Sequence, residues 1–482
     1  MSKLSRCLFP VVLMSVFSMF GCSGVSTGAP ASPTASVYQI VTVSDLHFNP
    51  FYDPTLFPAL AAADASQWAG IFHGSKVTAP TGGGTDTNYP LLVLTLASMK
   101  QNMGASPVVL FTGDLLGHNI PKNFCAAYYS PKLPPSNCAT SPDQTVGPLM
   151  QQFIDKTFAF VAGSIRVAVG KAPVIYVPGN IDTYGVGLGP NSAFLTSNAA
   201  TVYSQFLTGS FDQRTFLNTF EAGGYYAVQP LGSGLLVIGL NTNSFVAGSP
   251  SYGDANAELS WLNSQLSSAQ AAGQKVWILM HVPPGANSQG IAQVAATPSD
   301  VDEKTTSMMW EPGLQSTFIQ TLANYPGLVT LMLAGHTHMD EFRMLPTGDV
   351  LEQLPGISPC FGNNPAYKVL TITQDTFTPT DYQSFDYNLA AMSTQFVSLY
   401  QFSTTFGAQR TLGYSLQRLY PQLGGNQSKR DMYTLLYGSG STTVNPVTFT
   451  PWNPINNVNW PIFACTISEM DEPDYLRCVS TY

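Results

Sequence analysis

Six apolar, largely β-branched runs punctuate the chain at 38–44, 108–112, 174–177, 235–240, 276–280 and 328–333, and each stops abruptly at polar residues. None of them alternates apolar with polar positions, so a strand built from one needs cover on both faces. Between the runs lie stretches with helical character, 89–103, 150–169 and 255–272. Strand and helix thus alternate, which predicts an α/β layered domain. After Tyr387 the pattern changes: 390–402 and 412–419 are rich in Leu, Gln, Tyr and Ser, with no further strong strand run. A small, mainly helical C-terminal region over 389–482 is expected, following a main domain over 37–388.

The N-terminus reads differently. Lys3 and Arg6 precede an apolar stretch from Cys7 to Phe20, then Gly21-Cys22. This is the pattern of a secretory signal peptide over 1–22 with a lipoprotein-like cleavage site, Cys22 being the residue that would be acylated. The stretch is short for a membrane span, and no later segment reaches the roughly 20 apolar residues that a transmembrane helix needs. Residues 23–36, nearly all Ser, Gly, Thr, Ala and Pro, suit a flexible tether. The expectation is an exported protein, held at a bacterial cell envelope through Cys22 or released as a secreted or periplasmic form.

Seven cysteines are present, and five remain once Cys7 and Cys22 are assigned to the leader and anchor. Cys125 and Cys138 are close in sequence, as are Cys465 and Cys478, so two local disulfides are the economical pairing in an oxidising compartment. Cys360 is left over. Five buried thiols stay open as the alternative, because spacing does not fix connectivity.

The 482-residue composition, 44% hydrophobic and 10% charged, suits a globular chain with a large core. A net charge of -9 disfavours binding to a nucleic-acid polymer by phosphate neutralisation. It leaves a phosphoester substrate open, since bound divalent cations reverse the local field.

Candidate chemistry sits just past the strand ends: Asp45-Leu46-His47, Gly113-Asp114, Gly179-Asn180, His281 and Gly335-His336-Thr337-His338. Residues at the carboxyl ends of strands in an open α/β sheet converge on one crevice. Asp45 and His47 are two apart, as are His336 and His338, and in an extended segment that spacing projects both side chains to one side. Carboxylate, imidazole and amide oxygen together make a donor set for two metal ions. Only six histidines occur, and five of them (His47, His118, His281, His336 and His338) lie in or next to these strand ends. The set is hard to read as structural. Gly113, Gly179 and Gly335 stand where a side chain would obstruct a tight turn.

These ordered blocks resemble the signature of calcineurin-like metallophosphoesterases, and within them the acid sphingomyelinase-like phosphodiesterases, supported by "SDLHFNPFYD", "GHTHMDEF" and "ISPCFGNNPAYKVL". The resemblance covers about residues 38–390. It implies a four-layer β-sandwich of two mixed sheets flanked by helices. It also implies one metal on Asp45, His47, Asp114 and His338, and a second on Asp114, Asn180, His281 and His336, with Asp114 bridging. Two divalent ions are implied, zinc foremost, with manganese or iron as alternatives. The activity implied is a phosphodiesterase acting on a lipid headgroup or a nucleotide, and a bridging hydroxide would attack phosphorus in line.

One position departs from the family pattern. The third block ordinarily reads Gly-Asn-His, its histidine associated with leaving-group protonation, and here Ile181 follows Gly179-Asn180. His118, four residues after Asp114, matches a second histidine of the sphingomyelinase-like subgroup and is the candidate general acid. If His118 does not suffice, the alternative is a metal- and phosphoester-binding protein with weak turnover; a separate alternative is a phosphomonoesterase or nucleotidase on the same scaffold.

Overall fold

All six apolar runs form strands within one or two residues of their sequence limits, as β1 (Val37–Val43), β2 (Val109–Phe111), β3 (Val174–Tyr176), β5 (Leu235–Gly239), β6 (Lys275–Leu279) and β7 (Val329–Ala334). The other strands are β4 (Tyr226–Val228), β8 (Glu341–Met344), β9 (Val350–Gln353), β10 (Ala366–Thr373), β11 (Pro379–Asp386) and β12 (Val397–Gln401). The computed structural model describes residues 36–140, 144–185, 187, 189–208, 211–246, 248, 254–391, 393–441 and 454–482. The expected signal peptide, Cys22 and all of the expected tether except Ser36 fall outside those residues.

Two six-stranded mixed sheets result, in the orders β12-β11-β10-β1-β2-β3 and β4-β5-β6-β7-β9-β8. In the first, β1, β2 and β3 run parallel and β10 is antiparallel to β1. In the second, β5, β6, β7 and β9 are parallel, with β4 and β8 antiparallel at the edges.

The unbroken apolar runs are explained by what covers each face. Leu235, Val237, Trp277, Leu279, Leu331 and Leu333 join a core that also holds Val41, Val43, Val109 and Phe111 of the first sheet. Their neighbours Leu236, Ile238, Val276, Ile278 and Met332 belong instead to a second core. There they meet Leu259, Leu262 and Leu266 of the helix Ala255–Ala271 and Phe318 and Leu322 of the helix Pro312–Ala323. Each fully buried Leu or Ile contributes about 1.5–3 kcal/mol, so neither face tolerates a polar residue cheaply. The fold class read from the sequence holds: two mixed sheets flanked by helices.

The helices read at 89–103, 150–169 and 255–272 are observed at Tyr89–Asn102, Val146–Val169 and Ala255–Ala271. Both local disulfides are formed, Cys125–Cys138 and Cys465–Cys478, and Cys360 is a buried free thiol. The C-terminal region carries the helices Leu412–Gly425, Gln427–Tyr437, Trp460–Ser468 and Glu472–Ser480. The segment 390–402 differs from its helical reading, because it contains β12. That strand pairs only with β11, at the sheet edge, and Tyr400 is its one buried side chain. A five-residue edge strand with one buried anchor has no apolar run to betray it. No helix of the described residues is long and apolar enough to cross a membrane.

Candidate metal centre

The strand ends of both sheets meet at one crevice. A Cβ on Gly335, after β7, would come within 2.1 Å of Ser44 Oγ, after β1. A Cβ on Gly179 would lie 2.0 Å from Asp114 Oδ1. Neither position admits another residue, because the loops approach one another through their backbones.

The ligand-bearing segments are not extended, contrary to the reading of the i, i+2 pairs. Asp45, His47, Asp114, His336 and His338 all adopt left-handed backbone, with φ of 48°, 45°, 55°, 75° and 63°. Such non-glycine conformations are uncommon and persist where surrounding structure imposes them. Here the imposing contacts are backbone hydrogen bonds: Asp45 N–H to Gly113 O (3.0 Å), His47 N–H to Asp114 O (2.9 Å) and Gly335 N–H to His281 O (3.0 Å). The pairs reach one locality by turning, not by strand alternation.

Two donor groups form, Asp45 with His47 and His338, and Asp114 with His281 and His336, each set of ligand atoms lying within 4.8 Å. Asp114 Oδ2 stands between them, 3.4 Å from His47 Nε2 and 3.1 Å from His281 Nε2. Asn180 Oδ1 lies 3.0 Å from His281 Nε2 and 2.9 Å from His336 Nδ1. Its amide nitrogen donates to Gly187 O (3.3 Å), which turns the oxygen inward. All seven residues read as ligands are thereby brought together.

The outer hydrogen bonds fix which nitrogen faces the crevice. His47 Nδ1 meets Leu116 O (3.1 Å), His281 Nδ1 meets Thr112 O (2.7 Å) and His338 Nδ1 meets Ser358 O (2.9 Å). A carbonyl only accepts, so each Nδ1 carries a proton and each Nε2 faces inward. His47 Nε2 and His338 Nε2 stand 3.1 Å apart, an arrangement that calls for a positive charge between or upon them. This donor chemistry fits divalent metal ions.

Protonation follows the same logic. Burial is the largest influence on His47 and His281 and would lower both, but Asp114 together with Asp45, and at His47 also Asp86, outweighs it and raises each to about 9. His336 and His338 are pushed down to about 4, first by burial, with repulsion from His281 and His47 respectively. Burial would raise Asp45 and Asp114, yet the surrounding imidazoles hold both well below the usual carboxylate range. Each donor group therefore collects one positive charge, on His47 in the first and on His281 in the second.

Beside the first group stands His118, its ring stacked on His47 with centroids 4.2 Å apart. Asp86 holds it twice: Oδ1 lies 2.8 Å from His118 Nδ1, and Oδ2 accepts the His118 backbone N–H at 2.6 Å. His47, Asp86 and His118 are themselves close enough to form a third donor group, but Asp86 and His118 are engaged with one another. Ile181 shares a cavity wall with His118, and its backbone N–H donates to Asp114 Oδ1 at 2.7 Å. The backbone at 181 thus orients a candidate ligand whatever side chain it carries.

Two further residues matter that the strand-end motifs do not single out. Asp86 lies in a Gly- and Thr-rich loop with no spacing signal. Asp182 is buried and accepts from Leu115 N–H (2.9 Å), Leu116 N–H (3.0 Å), Gly179 N–H (3.0 Å) and Tyr176 O–H (2.7 Å), clamping the Asp114 and Asn180 loops together. Burial, then the charge of Asp114, raises it to about 6.

The model of the calcineurin-like phosphoesterase family matches residues 38–340, well over half of the chain. The chain belongs to that family. This calcineurin-like phosphoesterase is 28% identical over 242 residues to a protein of Dictyostelium discoideum named sphingomyelinase phosphodiesterase C, covering 45% of the chain and 49% of that relative. It is 24% identical over 448 residues to the human protein named sphingomyelin phosphodiesterase, covering 85% of the chain and 61% of the relative. The chain therefore spans about half to three fifths of the length of these curated relatives. A solved dimetal phosphatase from Danio rerio aligns with a TM-score of 0.41 and 11% identity, over 75% of this chain and 98% of that one.

Proposed function

We propose that this phosphoesterase hydrolyses phosphodiesters at a dinuclear metal centre, its substrate a phospholipid headgroup or a nucleotide diester or pyrophosphate. The observation that carries the reading is the placement of Asp114 Oδ2 between two donor groups, 3.4 Å from His47 Nε2 in one and 3.1 Å from His281 Nε2 in the other. Asp45, His47, Asp114 and His338 would hold one ion, and Asp114, Asn180, His281 and His336 the other. Zinc is the first expectation for this imidazole and carboxylate set, with manganese or iron as alternatives. A pair of such ions activates water near neutral pH and neutralises charge on a phosphoryl group.

The chain's own residues supply the rest. His118, its Nδ1–H directed at Asp86, would as the imidazolium give its Nε2 proton to the leaving oxygen and be left as the neutral Nδ1–H ring. Asp86 is a positioning residue that sets the tautomer. Ile181 has no proton to give, so His118 acts alone. That same observation favours a second reading, a metal-binding protein with weak turnover.

The two disulfides agree with an oxidising, extracytoplasmic location, and acylation at Cys22 is proposed as its anchor. Hydrolysis of bis-p-nitrophenyl phosphate with added zinc or manganese, lost with a chelator and in Asp114→Asn, supports the diesterase. Metal binding without turnover supports the second reading, and preference for a monoester would make the protein a phosphomonoesterase.

A further inference from the structure

The helix Ile120–Tyr129 begins immediately after His118, and its first turn does two things at once. Ile120, Pro121 and Lys122 line, with His118 and Ile181, a cavity of about 140 Å³ at the side of the metal centre. The buried face of the helix is locked into the core, where Phe124 packs against Phe57 and Phe153 at ring distances of 5.4 and 5.5 Å. Cys125–Cys138 then closes the loop that follows, so its tip is presented from a fixed base.

That tip is apolar and uncovered. Leu133 is 93% exposed, more than any other large apolar side chain among the described residues, and Tyr128 is 40% exposed. Leu133 lies between Pro131 and Pro134-Pro135, which restrict the backbone and keep the tip from folding back. The charge of the segment is also unlike that of the chain. Residues 119–140 contain Lys122 and Lys132, both exposed, and no Asp or Glu, in a protein of net charge -9. An exposed leucine on the clamped loop, with Tyr128 at the end of the preceding helix and two exposed lysines, can place apolar side chains at a lipid interface while the cations meet anionic headgroups.

We propose that the disulfide-closed segment 119–138 docks this protein onto an anionic lipid surface, bringing the His118 side of the metal centre against it. One leucine, one tyrosine and two lysines make a weak, reversible contact, separate from any acyl anchor. The inference does not require the lipid to be the substrate.

Amide hydrogen exchange of the full chain tests it locally, with vesicles of phosphatidylglycerol or of phosphatidylcholine as probes. Exchange within 119–138 is expected to slow by about threefold or more on phosphatidylglycerol and not on phosphatidylcholine. Leu133→Asp and Lys132→Glu should each remove the effect while hydrolysis of soluble bis-p-nitrophenyl phosphate stays unchanged. Unaltered exchange on phosphatidylglycerol, or equal slowing in Leu133→Asp, overturns the proposal. Slowing on raising protein concentration without vesicles assigns the face to a second copy of the chain and overturns it too.

Discussion

The candidate metal cradle and the wall proposed to face the leaving group are made by neighbouring loops, but they are held to different degrees. In the cradle, His47, His281 and His338 are each fixed on the outer side by a backbone carbonyl, Asn180 by Gly187 O, and Asp114 by the Ile181 N–H. Across the leaving-group wall a single imidazole, His118, is held by Asp86, and the opposing position is the hydrocarbon of Ile181. On the proposed function, the difference teaches that metal retention and proton delivery are separable. Backbone geometry at 181 preserves the first even though the side chain contributes nothing to the second.

The largest expected effect breaks the cradle. Asp114→Asn removes the shared carboxylate, and both metal content and diesterase turnover should fall, turnover by about a thousandfold, equivalent to several kcal/mol of transition-state stabilisation. Retained metal with retained turnover would dissolve the distinction between the regions.

Next is the proton dependence of metal binding. Without metal, His47 and His281 carry protons up to about 9, so binding must displace both. The affinity for each ion should therefore weaken as pH falls, by about tenfold per unit below about 8 and so by about a hundredfold per unit for the pair, and level off above 9. A calorimetric titration in two buffers of different ionisation enthalpy reads the protons released. A pH-independent affinity would contradict the protonation assigned to His47 and His281.

On the leaving-group wall, His118→Ala should lower diester turnover by about tenfold or more with metal content intact. Asp86→Asn should cost less and displace the pH-rate profile, which a purely structural role would not do. Smallest is Ile181→His, expected to raise turnover several-fold with substrates having a poor leaving group and to leave metal content alone. No gain would mean that His118 already performs the whole task.

How much of this was legible follows from burial. The parallel strands announced themselves because both faces are covered, and every proposed ligand lies just beyond one of them. β10 and β11 were harder to read, since β11 mixes buried and half-buried positions, and β12 has one buried residue. The ligand list could be written from strand-end placement and the family resemblance, but its geometry could not. Asp and His in left-handed backbone give no local signal, and the same-side projection of Asp45 and His47 arises from turns that only the packed loops impose. Asp86 reaches His118 across 32 positions, and nothing in its own loop points there.

Metal content per folded chain is the most direct test of the central claim. Elemental analysis after loading with zinc and removal of excess should find two ions per wild-type chain, with bis-p-nitrophenyl phosphate hydrolysis rising with occupancy and lost on chelation. A chain that binds one ion or none and still hydrolyses the diester in the presence of chelator would contradict the account.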